Sequence, residues 1–158
     1  MRTRKYAHEA LATLRDLRAD QALARLATAI GQRVSAERAL LECEQRRTAY
    51  DANVARLGAT EASELAHGRL RAADLARANA WNLRVSTERE ALEAERTRAL
   101  ARQRAAADAE RGAHDKAIAC LGDARLVQED RQRWTERVRA LAEAAEDEAR
   151  AETWRRPQ

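Results

Sequence analysis

Histidine and cysteine are the residues of this sequence whose side chains could hold a metal ion or act as a nucleophile. The three histidines, His8, His67 and His114, do not stand at a spacing that puts two of them on one face of a helix. No acidic residues join them into a set of metal ligands. Cys43 and Cys120 also lack metal-ligand spacing. Two isolated cysteines are typical of a reducing compartment, so we predict free thiols and no metal site.

Glycine-rich loops and nucleophile motifs are missing as well. The sequence has no G-x-x-x-x-G-K-S/T loop for phosphates, no G-x-G-x-x-G dinucleotide loop and no G-x-S-x-G turn. We therefore predict a protein that is not an enzyme, with no cofactor and no small-molecule substrate. We expect its function to depend on surfaces that bind other macromolecules.

A column of apolar residues organises the second half of the chain, although charged residues make up 35% of the sequence. A spacing of seven returns each residue to nearly the same side of a helix, which predicts one seam of a long coiled-coil helix. The column comprises Ala78, Val85, Leu92, Ala99, Ala106, Ala113, Cys120, Val127, Trp134 and Leu141. We predict a companion seam at Trp81, Glu88, Glu95, Arg102 and Ala109, which moves near residue 110 to Ala117, Ala124, Arg131, Val138 and Ala145.

A second apolar stripe predicts a helix in the first part of the chain. Its first members are three and four residues apart, as seam positions are: Ala7, Ala10, Leu14, Leu17, Gln21 and Ala24. The steps then become mostly four, at Leu26, Ile30, Val34, Glu37 and Leu41. We therefore expect this helix to straighten or to change the face that it presents near residue 25.

The segment 58–68 is the best candidate for a turn between the helices. It contains two of the five glycines, and Gly58 fits a helix C-cap. The one proline, Pro157, lies near the C-terminal end and interrupts neither helix. We predict an all-α fold, a long two-helix antiparallel coiled-coil hairpin spanning 1–158, with helix 1 at about 4–57 and a longer helix 2 at about 69–153. An unbroken helix with a weak point in this segment is the alternative.

A turn near residue 63 would place residue 43 opposite roughly residue 83. It would also leave the chain after about residue 122 without a partner helix. This predicted overhang contains the most apolar end of the column: Val127, Trp134, Val138 and Leu141. An exposed apolar stripe usually has a partner, which could be a second copy, another protein or a fold-back of the chain.

The distribution of charge favours protein partners over nucleic acid. Net charge is +4, and the basic residues do not form one stripe interleaved with aromatic residues. Arg2, Arg4 and Lys5 stand in the first predicted helical turn, where they oppose the helix dipole. They are either a frayed and solvated helix start or a contact for an acidic surface. Acidic residues cluster instead at Glu143, Glu146, Asp147, Glu148 and Glu152. No apolar run is long enough to span a membrane, and we expect a cytoplasmic bacterial protein.

The chain resembles a known family in its size, its predicted hairpin and its basic start. The resemblance also rests on the segment Leu14-Arg15-Asp16-Leu17-Arg18-Ala19-Asp20-Gln21-Ala22 and on the acidic helix from Arg131 to Arg150. The family comprises the central stalk proteins of type III secretion and flagellar export, the FliJ and YscO group with their Hrp counterparts. The resemblance implies a stalk that inserts into a hexameric export ATPase and reaches the export-gate membrane protein. Some members also escort secretion chaperones. The implied location is cytoplasmic and peripheral at the inner-membrane export apparatus.

Position in the hairpin then assigns candidate partner-binding residues. The ATPase-facing end would hold Arg4, Lys5, Leu14, Arg18, Trp134, Arg137 and Leu141. The gate-facing half would hold Leu41, Tyr50 and Trp81, and both Trp81 and Trp134 could instead pack in the seam. A structural homo-oligomer is the alternative function, and a basic coiled coil that binds nucleic acid or membranes is a third.

Overall fold

The computed structural model describes residues 5–69 and 72–155 of the chain. It contains two helices, α1 (Glu9–Ala66) and α2 (Ala72–Arg155), and no strand within those ranges. The two helices pack against each other as an all-α hairpin, and α2, with 84 residues, is longer than α1, with 58. The predicted fold class is confirmed.

Helix α1 begins at Glu9, not near residue 4. Residues 5–8 are not helical, and residues 1–4 lie outside the described part of the chain. Glu9 is the acidic residue of the first turn, where a negative charge is favourable beside the positive end of the helix dipole. A start at Arg4 and Lys5 would have placed positive charge there. The helix therefore begins where its dipole is matched.

The turn comes later than predicted, and Gly58 is not a helix cap. Helix α1 continues to Ala66, and the glycine with a left-handed backbone is Gly68, at φ 68°. The amide of Gly68 donates to the Leu65 carbonyl at 2.9 Å, and the amide of Arg69 donates to the Glu64 carbonyl at 3.0 Å. This pair of bonds is a Schellman motif, which needs a residue that tolerates positive φ. Gly58 is not required to have that conformation, so the helix continues through it.

The contacts between α1 and α2 define two units. The terminal unit consists of Met1–Ala27 and Gly112–Gln158, and the turn unit consists of Thr28–Arg111. The apolar column of α2 is a seam in both: of its ten members only Leu141 is exposed, and the others are buried or half-buried.

Alanines form the seam of the terminal unit. Helix α1 buries Ala12, Ala19 and Ala22, and α2 buries Ala117 and Ala124. These residues recur at steps of three and seven, so each helix presents a stripe of methyl groups to the other. Short side chains at the contact allow two helix axes to approach closely.

The predicted α1 stripe through Leu14 and Leu17 is therefore wrong as a seam. All of its members from Ala7 to Ala24 are exposed. The period of three and four was correct, but α1 carries two such stripes on opposite faces. Helix α2 packs on the face with the alanines, because its own alanines match that face in size.

Half-buried polar residues complete the seam of the turn unit. The predicted companion positions 88, 95, 102 and 109 are exposed, and the prediction is wrong there. One residue later in the chain, Arg89 is exposed as well, but Arg96, Gln103 and Glu110 are half-buried. These residues continue the register of Ala117 and Ala124, so the contact face of α2 does not rotate near residue 110.

Ion pairs across the seam explain how charged residues can occupy it. Nε of Arg33 donates to a carboxylate oxygen of Glu110, and Nε of Arg96 lies 3.5 Å from a carboxylate oxygen of Glu44. Each half-buried charge thus meets an opposite one, which reduces the cost of its partial desolvation. A search for apolar side chains could not identify these positions.

The pairing register of the turn unit also differs from the predicted one. Arg46 pairs with Glu95 at 3.1 Å and Arg47 pairs with Glu93 at 2.7 Å, so residue 43 does not face residue 83. Because the turn lies after Ala66 and not near residue 63, each residue of α1 meets a later part of α2.

Candidate partner-binding surface

Tyr6, which precedes α1, packs against α2 in the terminal unit. Its side chain is 8% exposed, and its hydroxyl donates a hydrogen bond to Oδ2 of Asp130 at 2.6 Å. Its ring lies 5.6 Å from the Trp134 ring and 5.7 Å, edge to face, from the His8 ring. The hydrogen bond to Asp130, and then burial, raise the pKa of Tyr6 above its ordinary value. We call Tyr6, Asp130 and Trp134 the aromatic clasp.

The pairing of α1 with α2 extends further along α2 than predicted. Glu9 pairs with Arg131 at 2.8 Å, and Arg15 donates to Asp123. Val127 and Trp134 are half-buried, so they do not belong to an overhang. The predicted overhang after about residue 122 is wrong, because the later turn brings the start of α1 beside residues 123–134.

The exposed part of the α2 seam lies beyond Trp134. Leu141 is 60% exposed, and Ala145 and Ala149, which follow it on the same side of the helix, are exposed as well. Arg137 is exposed, and its Nε donates to the Arg133 carbonyl at 3.3 Å. Residues after Trp134 therefore offer a short apolar stripe with charged residues around it.

A second exposed stripe lies on the face of α1 opposite its buried alanines. Leu14 is 41% exposed and Leu17 is 53% exposed. A residue rotates the helix by about 100°, which places Leu17 roughly opposite Ala12 and Ala19. We call this surface the outer leucine stripe, and it comprises Ala10, Leu14, Leu17, Gln21 and Ala24.

Charged side chains border the outer leucine stripe. Arg18 and Arg25 stand on one side of it and Asp20 on the other, and all three are exposed. Neither arginine forms an ion pair with any residue in the described ranges. Lys5 is exposed ahead of α1, and Arg4 lies outside the described residues. The terminal unit thus presents an apolar stripe with an available basic border.

The remaining predicted residues lie in the turn unit. Leu41 is 54% exposed, whereas Tyr50 and Trp81 are half-buried. The Tyr50 hydroxyl is buried without a hydrogen-bond partner among the described residues, and desolvation raises its pKa above the ordinary value. Trp81 lines an open groove with Asp74, Arg77 and other side chains. These three residues do not form one surface.

Sequence reasoning did not identify Tyr6. The signal was present in Trp134, a bulky side chain in a column otherwise made largely of small residues. A bulky seam residue needs a partner of matching shape. Only the correct register connects it to Tyr6, and the predicted turn gave another register.

Within the described ranges, no group of three or more histidine, cysteine or acidic residues could hold a metal ion. The groove beside Cys43 and the groove beside Thr135 are both open to solvent. Neither helix, over the residues described, has a stretch apolar and long enough to cross a membrane. No protein-family model, no curated protein and no solved structure matches this chain.

Proposed function

We propose that this protein is a non-enzymatic coiled-coil stalk or adaptor of a bacterial type III secretion or flagellar export ATPase. In this proposal the terminal unit inserts into the hexameric ATPase, and the turn unit reaches the export-gate membrane protein. Escort of secretion chaperones belongs to the same proposal. The protein would act in the cytoplasm, at the periphery of the inner-membrane export apparatus.

The outer leucine stripe is the observation that carries the proposal. A hairpin that needed only to hold itself together could place charged side chains on the outer face of α1. Here leucines occupy that face, while alanines fill the seam. Apolar side chains that are grouped on an exposed face and bordered by charge are typical of protein-binding surfaces.

The aromatic clasp supports this assignment because it fixes the surface that would bind. Tyr6, which precedes α1, packs on Trp134 of α2 and lies eight residues before Leu14 in the chain. A surface on a helix that is already held in place loses little conformational entropy when it binds. The terminal unit is therefore suited to docking inside a preformed ring.

The test compares two double variants in binding to the hexameric export ATPase of the same organism. Leu14→Ala with Leu17→Ala should weaken binding by about tenfold or more, since a few buried apolar residues carry most of an interface's energy. It should also abolish stimulation of ATP hydrolysis. Ile118→Ala with Leu126→Ala is the matched control, because both residues are exposed and lie on α2 in the same unit. Unstimulated hydrolysis with the wild type, or equal losses in both variants, would contradict the proposal.

A structural homo-oligomer is the second candidate function, and the exposure of Leu141 favours it. The stripe of Leu141, Ala145 and Ala149 could pair with the same stripe of a second copy. Sedimentation equilibrium separates the two functions: a stalk is monomeric at micromolar concentration. An oligomer that Leu141→Glu dissociates would favour the second.

A further inference from the structure

An open groove follows one edge of the seam in the turn unit, and none of the residues assigned to a partner above lines it. Its volume is about 520 Å³, within the range of ligand sites. Its floor is made of short side chains, Ala36, Ala39, Cys43 and Ala99. A floor of this kind lets the small side chains of another helix approach closely.

Two arginines without partners stand on the α2 side of this groove. Arg98 and Arg102 are exposed, and neither forms an ion pair or hydrogen bond with any residue in the described ranges. They are four residues apart, so they project from the same face of α2 with a rise of about 6 Å between them. A guanidinium presents a planar set of donors that matches a carboxylate.

The other charged groups of the groove make its charge distribution asymmetric. Arg46 is already engaged: its Nη2 lies 3.1 Å from Glu95 and donates to Sγ of Cys43 at 3.2 Å. Glu42 lines the α1 side and has no ion pair among the described residues. An incoming group should therefore place negative charge toward Arg98 and Arg102, and neutral or positive charge toward Glu42.

The geometry points to a docking site for an acidic helix of a partner protein. That helix carries alanines or other small residues on its contacting face and glutamates four residues apart on the flank that meets Arg98 and Arg102. Its glutamates then match the arginines in spacing as well as in charge. This site is separate from the outer leucine stripe, so it goes beyond the proposed function and is tested independently of it.

Nucleic acid fits the groove less well than a helix does. No aromatic side chain lines the groove to stack with bases. Glu42 and Glu95 also line the groove, and their carboxylates would repel a chain of phosphates. A helix can keep its acids on one flank, whereas a phosphate backbone is negative along its whole length.

The experiment measures binding of the full chain to a synthetic helical peptide by fluorescence anisotropy. The peptide has glutamates four residues apart along one flank and alanines elsewhere. Arg98→Glu with Arg102→Glu should weaken binding by about tenfold or more, because two attractive charge pairs become repulsive. Ala39→Leu should weaken it as well by filling the floor, without any change of charge.

Two controls make the result decisive. Arg38→Glu with Arg104→Glu gives the same change of charge at exposed arginines of the turn unit that do not line the groove, and it should leave most of the binding intact. Circular dichroism checks that each variant keeps its helices. The inference is overturned if the wild type does not bind millimolar peptide or if the control variant loses as much affinity. It is also overturned if a single-stranded oligonucleotide of equal charge binds as tightly through the same arginines.

Discussion

The terminal unit and the turn unit close similar seams of small side chains with different chemistry. In the terminal unit, Tyr6 and Trp134 pack together and Tyr6 donates to Asp130. In the turn unit, ion pairs cross the seam, as in Arg33 with Glu110, and no two aromatic rings are in contact among the residues described there. Ion pairs also join the helices of the terminal unit, as in Arg15 with Asp123 and Glu9 with Arg131. The aromatic contact is what the terminal unit has in addition, among the residues described.

This difference predicts in which unit a single substitution should lower stability more. Half-exposed ion pairs contribute up to about 1 kcal/mol each, and they substitute for one another. A well-packed aromatic or alanine contact has no such replacement, because the surrounding atoms cannot fill the space. We expect the terminal unit to be the more sensitive of the two to changes in packing.

Enlarging a seam alanine should give the largest effect and should differ between the units. Ala117, in the terminal unit, is 2% exposed, and Ala117→Leu should lower the free energy of unfolding by about 3 kcal/mol through overpacking. Ala99 is also buried but lines the open groove of the turn unit. A leucine at position 99 can extend into that space, so Ala99→Leu should lower the free energy of unfolding by only about 1 kcal/mol. Urea unfolding of both variants checks this, and equal losses would contradict the contrast.

Removing a tryptophan should be the next largest effect. Trp134→Ala should lower the free energy of unfolding by about 2 kcal/mol, because it removes a half-buried ring that packs on Tyr6. Trp81→Ala is the matched change in the turn unit, where the ring lines an open groove, and it should cost less than half as much. Hydrogen exchange should show faster opening near residues 5–27 only for Trp134→Ala. Faster exchange near residues 36–47 in that variant would show that the units do not respond separately.

Two glycines should respond to alanine with opposite signs. Gly68, in the turn unit, has φ 68°, so Gly68→Ala should destabilise by about 1 kcal/mol through backbone strain. Gly122 lies inside α2 in the terminal unit, and a methyl group there meets no atom within 4 Å. Gly122→Ala should therefore stabilise by about 1 kcal/mol through helix propensity. The midpoints of thermal unfolding give both signs, and a stabilised Gly68→Ala would contradict the Schellman assignment.

Much of α2 could be predicted from the sequence, because its apolar column has no competitor on another face. The nine members of the column from Ala78 to Trp134 are buried or half-buried as expected, and the tenth, Leu141, is exposed. The buried face of α1 was harder to predict, because the helix carries an alanine stripe and a leucine stripe that fit the same helical period. Periodicity shows that a face is apolar, and only the partner helix decides which of two such faces is buried.

The predicted partner-binding residues differ in exposure. Leu14, Arg18 and Leu141 are exposed in the terminal unit, but the reasoning that selected them placed Leu14 in the seam. Tyr6 escaped because its contact with Trp134 joins residues more than a hundred positions apart. Such a contact depends on the register, and the register depends on whether Gly58 or Gly68 ends α1. Both glycines could end a helix by their residue type, and the hydrogen bonds after Ala66 show that Gly68 does so.

The smallest expected effect concerns the two tyrosines, one in each unit. The Tyr6 hydroxyl donates to Asp130, whereas the Tyr50 hydroxyl is buried with no hydrogen-bond partner among the described residues. Tyr6→Phe should lower the thermal midpoint slightly at neutral pH, because it leaves Asp130 without a donor. Tyr50→Phe should keep or raise the midpoint, since the desolvated hydroxyl makes no hydrogen bond of normal geometry and interacts only weakly with Glu88.

Alkaline pH gives the same pair of variants a second readout. The pKa values of Tyr6 and Tyr50 are both raised in the folded protein, the first mainly by the bond to Asp130 and the second mainly by burial. The unfolded chain therefore loses these protons first, at about pH 10. Stability is fully present below that pH and falls as pH rises through the folded pKa values. Stability should fall less steeply with rising pH in each phenylalanine variant, and least steeply in the double variant. An unchanged alkaline slope in the double variant would show that neither hydroxyl is linked to folding.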